Sequence, residues 1–155
     1  MPAMTRSPAR ITRADLHASA RLHVQTAGQG FTDLTRELLA FLREIDAGAG
    51  MAFLFCRHTS ASLTIQENAD PDVRTDLLTA LDRLAPRTHP WIHDLEGPDD
   101  MPAHIRTLLS DSHLAIPVEE GRPLLGTWQA PYLIEHRARP HQREIVLAFS
   151  GRAAS

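Results

Sequence analysis

The sequence predicts an α+β domain: a mainly antiparallel sheet of about six to eight strands, packed with two long helices and one short helix. Three observations lead there. Short apolar or alternating runs recur along the chain, many joined by connections too short for a crossover helix. Two longer stretches repeat apolar residues at helical spacing. Finally, 155 residues with 43% hydrophobic and 23% charged side chains describe one globular domain burying roughly 70% of its unfolded surface.

Residues 1–9 read as a loose polar start and 10–155 as the single domain. Ile11 to Gln25 mixes polar and apolar residues and, with Gly28 and Gly30 beyond it, predicts one or two strands. Phe31-Thr32-Asp33 opens a helix with Leu34, Leu38, Phe41, Leu42 and Ile45 on its buried face and Gly48 at its end. Met51–Arg57 and Ser62–Gln66 follow as strands, separated by His58-Thr59-Ser60. Asp70 caps a second helix, with Pro71 at its first position and Val73, Leu77, Leu81 and Leu84 as its buried stripe. Pro86–Asp100 is a long connection, the kind that is usually functional or mobile. Pro102 opens the short helix, with His104 on it and Ile105, Leu108 and Leu109 facing inward. Four strands close the chain: Leu114–Val118, Leu124–Gln129, Tyr132–Arg137 and Ile145–Ser150, with a turn at Gly121 and an edge or bulge at Pro131.

Composition excludes several functions. All 16 basic residues are arginine, so Schiff-base chemistry and a lysine-bearing phosphate loop are absent. The single cysteine, Cys56, excludes a disulfide scaffold and a Cys-rich zinc site, and sits in an apolar run as a small hydrophobe. Net charge is −3, and protonating all nine histidines would bring it to −3 + 9 = +6. Scattered arginines, 5% aromatics and a slightly negative charge give no nucleic-acid footprint. With no apolar run near the ~18 residues of a membrane span and no hydrophobic leader after MPAMTRSPAR, the expectation is a cytoplasmic protein without membrane or nucleic-acid partners.

Three polar clusters terminate apolar elements, the pattern of a scaffold presenting a site. In His58-Thr59-Ser60 with Glu67-Asn68-Ala69-Asp70, hydroxyls and N–H groups can hold anionic oxygens, and His58 can ligate a metal or move a proton. A capped turn is the structural alternative, with Asp70 as helix cap. The segment Trp91–His104 carries two histidines and four carboxylates within fourteen residues, a supply of ligands for a divalent ion; an acidic solvated loop is the alternative. Its spacing matches no standard zinc motif. His104, placed in the first helical turn, has a ring nitrogen that the helix dipole keeps free to ligate. The third cluster is Gly126-Thr127-Trp128-Gln129 with Glu135-His136-Arg137: Gln129 suits a heterocycle edge, while Trp128 reads as core more readily than as a stacking platform. His17, His23, His113 and His141 lie outside any cluster and read as surface or satisfied packing.

These clusters carry a family likeness. HTSASLTIQENADPDV (His58–Val73), HDLEGPDDMPAHI (His93–Ile105), IPVEEGRPLLGTWQ (Ile116–Gln129) and EHR (Glu135–Arg137) resemble the YjbQ-like family, described as secondary thiamine-phosphate synthases. Two positions depart from its usual pattern: Gln66 for Asn, and Ala130-Pro131 for Gly and an aliphatic residue. The resemblance implies a homotrimer with a pocket at the subunit interface. It nominates His58, Thr59, Ser60, Asn68, Asp70, His93, Asp100, His104, Gln129 and His136 as pocket residues. The implied reaction joins a hydroxymethylpyrimidine pyrophosphate to a thiazole phosphate and releases pyrophosphate, a transferase reaction. Charge on the leaving group then requires a divalent metal (zinc or magnesium) on His58, His93 and His104, and arginine in place of lysine: Arg57, Arg106 or Arg137. His58, Asp70, His104 and His136 are the expected catalytic residues. Thr59, Ser60, Asn68, Asp100, Arg106, Trp128, Gln129 and Arg137 are expected to bind a small phosphorylated substrate. Two alternatives stand beside this: a metal-assisted hydrolase of a small phosphorylated or amide substrate, and a non-catalytic metabolite- or anion-binding protein.

Overall fold

Strand pairing follows the alternation of the sequence. The structure, a computed structural model, describes residues 2–154. The long strands β1 (Leu16–Thr26) and β8 (His141–Ala153) pair antiparallel over eleven residues, from Leu16–Gly151 to Thr26–His141. On its other edge β8 pairs with β3 (Ala47–Cys56), which pairs in turn with β5 (His113–Glu119). The two-residue β6 (Arg122–Pro123) completes a five-stranded sheet, order β1-β8-β3-β5-β6. A second sheet, order β2-β7-β4, places β7 (Gln129–Glu135) between β2 (Gly30–Asp33) and β4 (Ala61–Glu67). Every ladder is antiparallel. The core gathers Leu34, Leu38, Phe41 and Leu42 around helix α1 (Thr35–Glu44), Leu54 and Ala52 of β3, Ile145, Leu147 and Phe149 of β8, and Leu63 and Leu133 of the smaller sheet.

Glu120 and Gly121 join β5 to β6 with φ values of 49° and 71°, the left-handed pair that a two-residue hairpin requires. Gly50 and Gly151 face each other across β3 and β8, next to a register shift between Ala47 and Gly50. A Cβ on either would enter the opposing backbone, so these two strands close only because both are glycine.

Several sequence expectations are corrected. Phe31–Asp33 is strand rather than helix start; α1 begins at Thr35, whose N–H is accepted by Asp33 Oδ1 at 2.8 Å. Asp46, at φ 52°, makes the reversal expected of Gly48, which already lies in β3. Helix α2 (Pro71–Leu84) is capped by Asp70 as expected, but no residue of it is fully buried: Val73, Leu77 and Leu81 are half-buried and Leu84 is exposed. Helix α3 (Asp100–Leu109) starts two residues before Pro102 and turns Asp100, Ala103 and Arg106 inward, leaving Leu108 and Leu109 exposed. Its apolar residues misled because its buried face is charged. No strand forms over 124–128; β7 starts at Gln129, whose side chain accepts the Gly126 N–H and closes a turn. Pro131 lies inside the central strand β7 without breaking it. In an antiparallel strand the N–H and C=O of one residue point the same way, and the Pro131 carbonyl accepts Leu34 N–H beyond the end of β2. The missing N–H therefore falls where no partner strand remains.

The paired glycines generate a stability prediction. Gly151→Ala forces β3 and β8 apart and is expected to cost about 2 kcal/mol or more, measured by urea unfolding. A loss below roughly 0.5 kcal/mol, the usual range of surface substitutions, would show that the close approach is dispensable.

Candidate functional site

The residues nominated from sequence divide between the two ends of the β4–β7 ladder. At one end, beside the Ala61–Glu135 pair, lie the 58–60 loop, His136 and helix α3. At the other, beside Glu67–Gln129, lie Asn68, Asp70, Trp128 and Gln129. Six residue steps separate these ends, about 20 Å along the strand.

The 58–60 loop is fastened at each residue. His58 Nε2 accepts the Glu144 N–H at 2.8 Å. The Thr59 carbonyl accepts His104 Nδ1–H at 2.8 Å and the Thr107 hydroxyl at 3.1 Å. The Ser60 carbonyl accepts the His136 N–H and a guanidinium N–H of Arg143. Beneath it, Arg143 pairs with the buried Glu135, which also accepts the Thr26 hydroxyl at 2.8 Å. Burial raises the Glu135 carboxyl, but its hydrogen bonds from Arg143, the Arg137 N–H and Thr26 outweigh that and hold it below its usual range.

Helix α3 presents the acidic group. Asp100, 2% exposed, occupies its first position and His104 stands one turn later on the same face. Asp100 Oδ2 lies 2.7 Å from His93 Nε2 and 3.4 Å from His104 Nε2. Asp100 Oδ1 accepts from Arg137 at 2.6 Å. Arg137 also bonds Asp99 and the Glu96 carbonyl, so one guanidinium ties the end of the long connection to β7. Burial raises the Asp99 carboxyl, and the Ala138 N–H with Arg137 more than reverses it. One donor atom from each of His93, Asp100 and His104 falls within 4.8 Å of the others, a grouping that can hold a metal ion.

His58 stands outside that group. Its Nε2 lone pair is committed to Glu144 N–H, so the neutral ring carries its proton on Nδ1 and acts as a donor rather than a ligand. Burial, then the Arg143 charge, lower its proton affinity. Asp100, expected to touch substrate, takes the place in the cluster expected of His58. The Thr59 carbonyl, a partner not anticipated from sequence, fixes the His104 tautomer.

Other nominated residues have settled roles. Arg106 is fully buried and bonds Asp82 and the Ala85 carbonyl, bracing α2 against α3. His136 is fully buried too, with Nε2 2.8 Å from Ser62 Oγ. Burial and the Arg106 charge lower its pKa to about 4. Asp70 Oδ1 caps α2 through the Asp72 N–H. Trp128 is 63% exposed, so it is not core. Sequence reasoning missed Ser62, Ser110, Thr107 and Arg143; only Ser62 lay inside a motif it had marked.

Fold and cluster together define a class: a two-sheet α+β protein with a two-histidine, one-carboxylate cluster at the end of the smaller sheet. The chain belongs to the UPF0047 protein YjbQ-like family, whose sequence profile matches residues 20–152. It is 46% identical to the UPF0047 protein sll1880 of Synechocystis over 131 residues, 84% of this chain and 89% of that one. It is 39% identical to the UPF0047 protein YjbQ of Escherichia coli O157:H7 across 84% of this chain and 95% of that protein. Among solved structures, an uncharacterized conserved protein of the family from Clostridium acetobutylicum superposes with a TM-score of 0.78 at 36% identity, covering 84% of this chain and 98% of that chain. No activity is stated in these names. No helix among the described residues is long and apolar enough to cross a membrane.

The buried neutral His136 predicts acid sensitivity. The unfolded ring takes a proton near 6.5 and the folded ring near 4, so stability falls as pH drops through that window. Urea unfolding at pH 5 is expected to give about 2 kcal/mol less from this residue than at pH 7, with a smaller drop in His136→Gln. An equal drop in both proteins would assign the acid sensitivity elsewhere.

Proposed function

We propose that this chain is a metal-assisted enzyme acting on a small phosphorylated substrate, with a divalent ion held by His93, Asp100 and His104. One observation carries the reading. The Thr59 carbonyl takes the Nδ1 proton of His104, so the neutral ring turns a bare Nε2 lone pair toward Asp100 Oδ2 at 3.4 Å. Two electron-rich atoms opposed at that distance repel unless a proton or a metal cation lies between them, and the converging His93 ring makes room for the metal. A backbone carbonyl on the far nitrogen is the usual way a ligating histidine is oriented. Two imidazoles and a carboxylate suit zinc better than magnesium, which prefers oxygen donors. A divalent ion there would keep a coordination position open and act as a Lewis acid toward a phosphoryl oxygen or a water.

The protein's own groups supply the rest. Arg137 positions Asp100. The exposed Thr59 and half-buried Ser60 offer hydroxyls to anionic oxygens, and His58 offers its Nδ1–H. The finer form of the reading, condensation of hydroxymethylpyrimidine pyrophosphate with thiazole phosphate, comes from the resemblance. A second reading, hydrolysis of a phosphate ester, is favoured by one observation: the arginines expected to neutralise pyrophosphate are all engaged. Arg57 pairs with Glu144, Arg106 with Asp82, and Arg137 with Asp99 and Asp100. The distant group of Asn68, Trp128 and Gln129 serves this centre when supplied by a neighbouring copy in a homotrimer, a reading supported by the ~20 Å separation within one chain and the exposed Trp128 indole.

Protein purified without a histidine tag, then dialysed against zinc, is expected to retain about one ion per chain by elemental analysis. Asp100→Asn and His104→Ala are expected to lose it, together with turnover of the two thiamine precursors or of phosphate esters. Arg137→Gln is expected to weaken zinc binding about 10- to 100-fold, as loss of an outer-shell partner does. Unchanged zinc content in His104→Ala would remove the metal from the account; turnover without zinc would remove it from the chemistry.

A further inference from the structure

The buried Ser62, Arg106 and His136 form a polar chain with the half-buried Ser110 that the chemistry above does not use. Its protons can be counted. Ser110 Oγ lies 2.6 Å from the Arg106 carbonyl, which has no proton to give, so Ser110 donates there. That spends its only proton, and the 2.6 Å contact between the Ser110 and Ser62 hydroxyls must be made by the Ser62 proton. Ser62 then has none left for His136 Nε2, 2.8 Å away, so that nitrogen carries the hydrogen. A neutral imidazole has one N–H, which leaves Nδ1 a bare acceptor. Its neutrality at pH 7 follows from its pKa of about 4.

Nδ1 of His136 has no partner among the described residues, and neither do Nε and Nη1 of Arg106. Both side chains are fully buried. Buried polar groups without protein partners are commonly met by internal water, which can donate to a bare imidazole nitrogen.

We propose that the Arg106–Ser110–Ser62 chain locks His136 in its Nε2–H tautomer, and that the bare, buried Nδ1 accepts from an internal water molecule. His136 is then a positioning residue: its main-chain N–H holds Ser60, next to the Thr59 carbonyl that orients His104. The inference does not depend on a metal.

Two-bond proton–nitrogen spectra of the full chain, with ring signals assigned by through-bond correlation, read the tautomer directly. At pH 7 the wild type is expected to show Nε2–H. Ser110→Ala releases the Ser62 proton toward His136 and is expected to shift the ring to Nδ1–H, while Ser110→Thr keeps the wild-type form. Nδ1–H in the wild type, or an unmoved tautomer in Ser110→Ala, overturns the lock. A crystal structure of the full chain is expected to place an ordered water within hydrogen-bond distance of His136 Nδ1. A protein donor on His136 Nδ1, or no ordered water there, overturns the water site.

Discussion

Asp100 is a carboxylate taken out of water, and the arrangement around it follows from the charges it needs. At 2% exposure an ionised carboxylate is stable only if its oxygens are met by donors or cations. Arg137 meets one oxygen and two imidazoles converge on the other. Arg137 can do this only from the end of β7, and His104 only from one turn along α3. The fold therefore serves to bring a strand end and a helix start to the same carboxylate.

The rigidity of the surroundings has the same origin. The 58–60 loop crosses between the two sheets, and its main-chain and ring groups are bound by residues from β7, β8 and α3. Loops that present chemistry gain from such fastening, because ligand orientation within about half an ångström decides whether a site works. The buried Glu135–Arg143 pair contributes here in an unusual way for a buried ion pair. Its value lies less in net stability, where desolvation offsets attraction, than in delivering an N–H to the Ser60 carbonyl.

Much of the scaffold was legible in the sequence because burial there is simple. Alternation in β5, helical spacing in α1, and Asp70-Pro71 at the start of α2 are local signals, and the local rules held; β4 forms where expected but is buried along its first half instead of alternating. The failures share a cause. Helix α3 buries Asp100 and Arg106 while exposing Leu108 and Leu109, so apolar spacing pointed to the wrong face. Pro131 is tolerated in a central strand only because β2 ends beside it, a fact of tertiary register. Of the site, His93 and His104 were identifiable from composition, but which other side chain joins them was not. The decisive facts are that His58 spends its lone pair on a β8 amide and that Asp100 and His104 share a helix face, and both depend on coordinates.

The central claim is that the Asp100 carboxylate and the Nε2 atoms of His93 and His104 together hold one divalent ion. Anomalous diffraction from tag-free crystals soaked in zinc, recorded on both sides of the zinc absorption edge, tests it most directly. The account predicts one strong peak per chain about 2.0–2.2 Å from those three atoms, with His104 Nδ1 still on the Thr59 carbonyl. A crystal in which the peak lies elsewhere, or in which His104 has turned its Nε2 away while Asp100 keeps only Arg137 and His93, would contradict it.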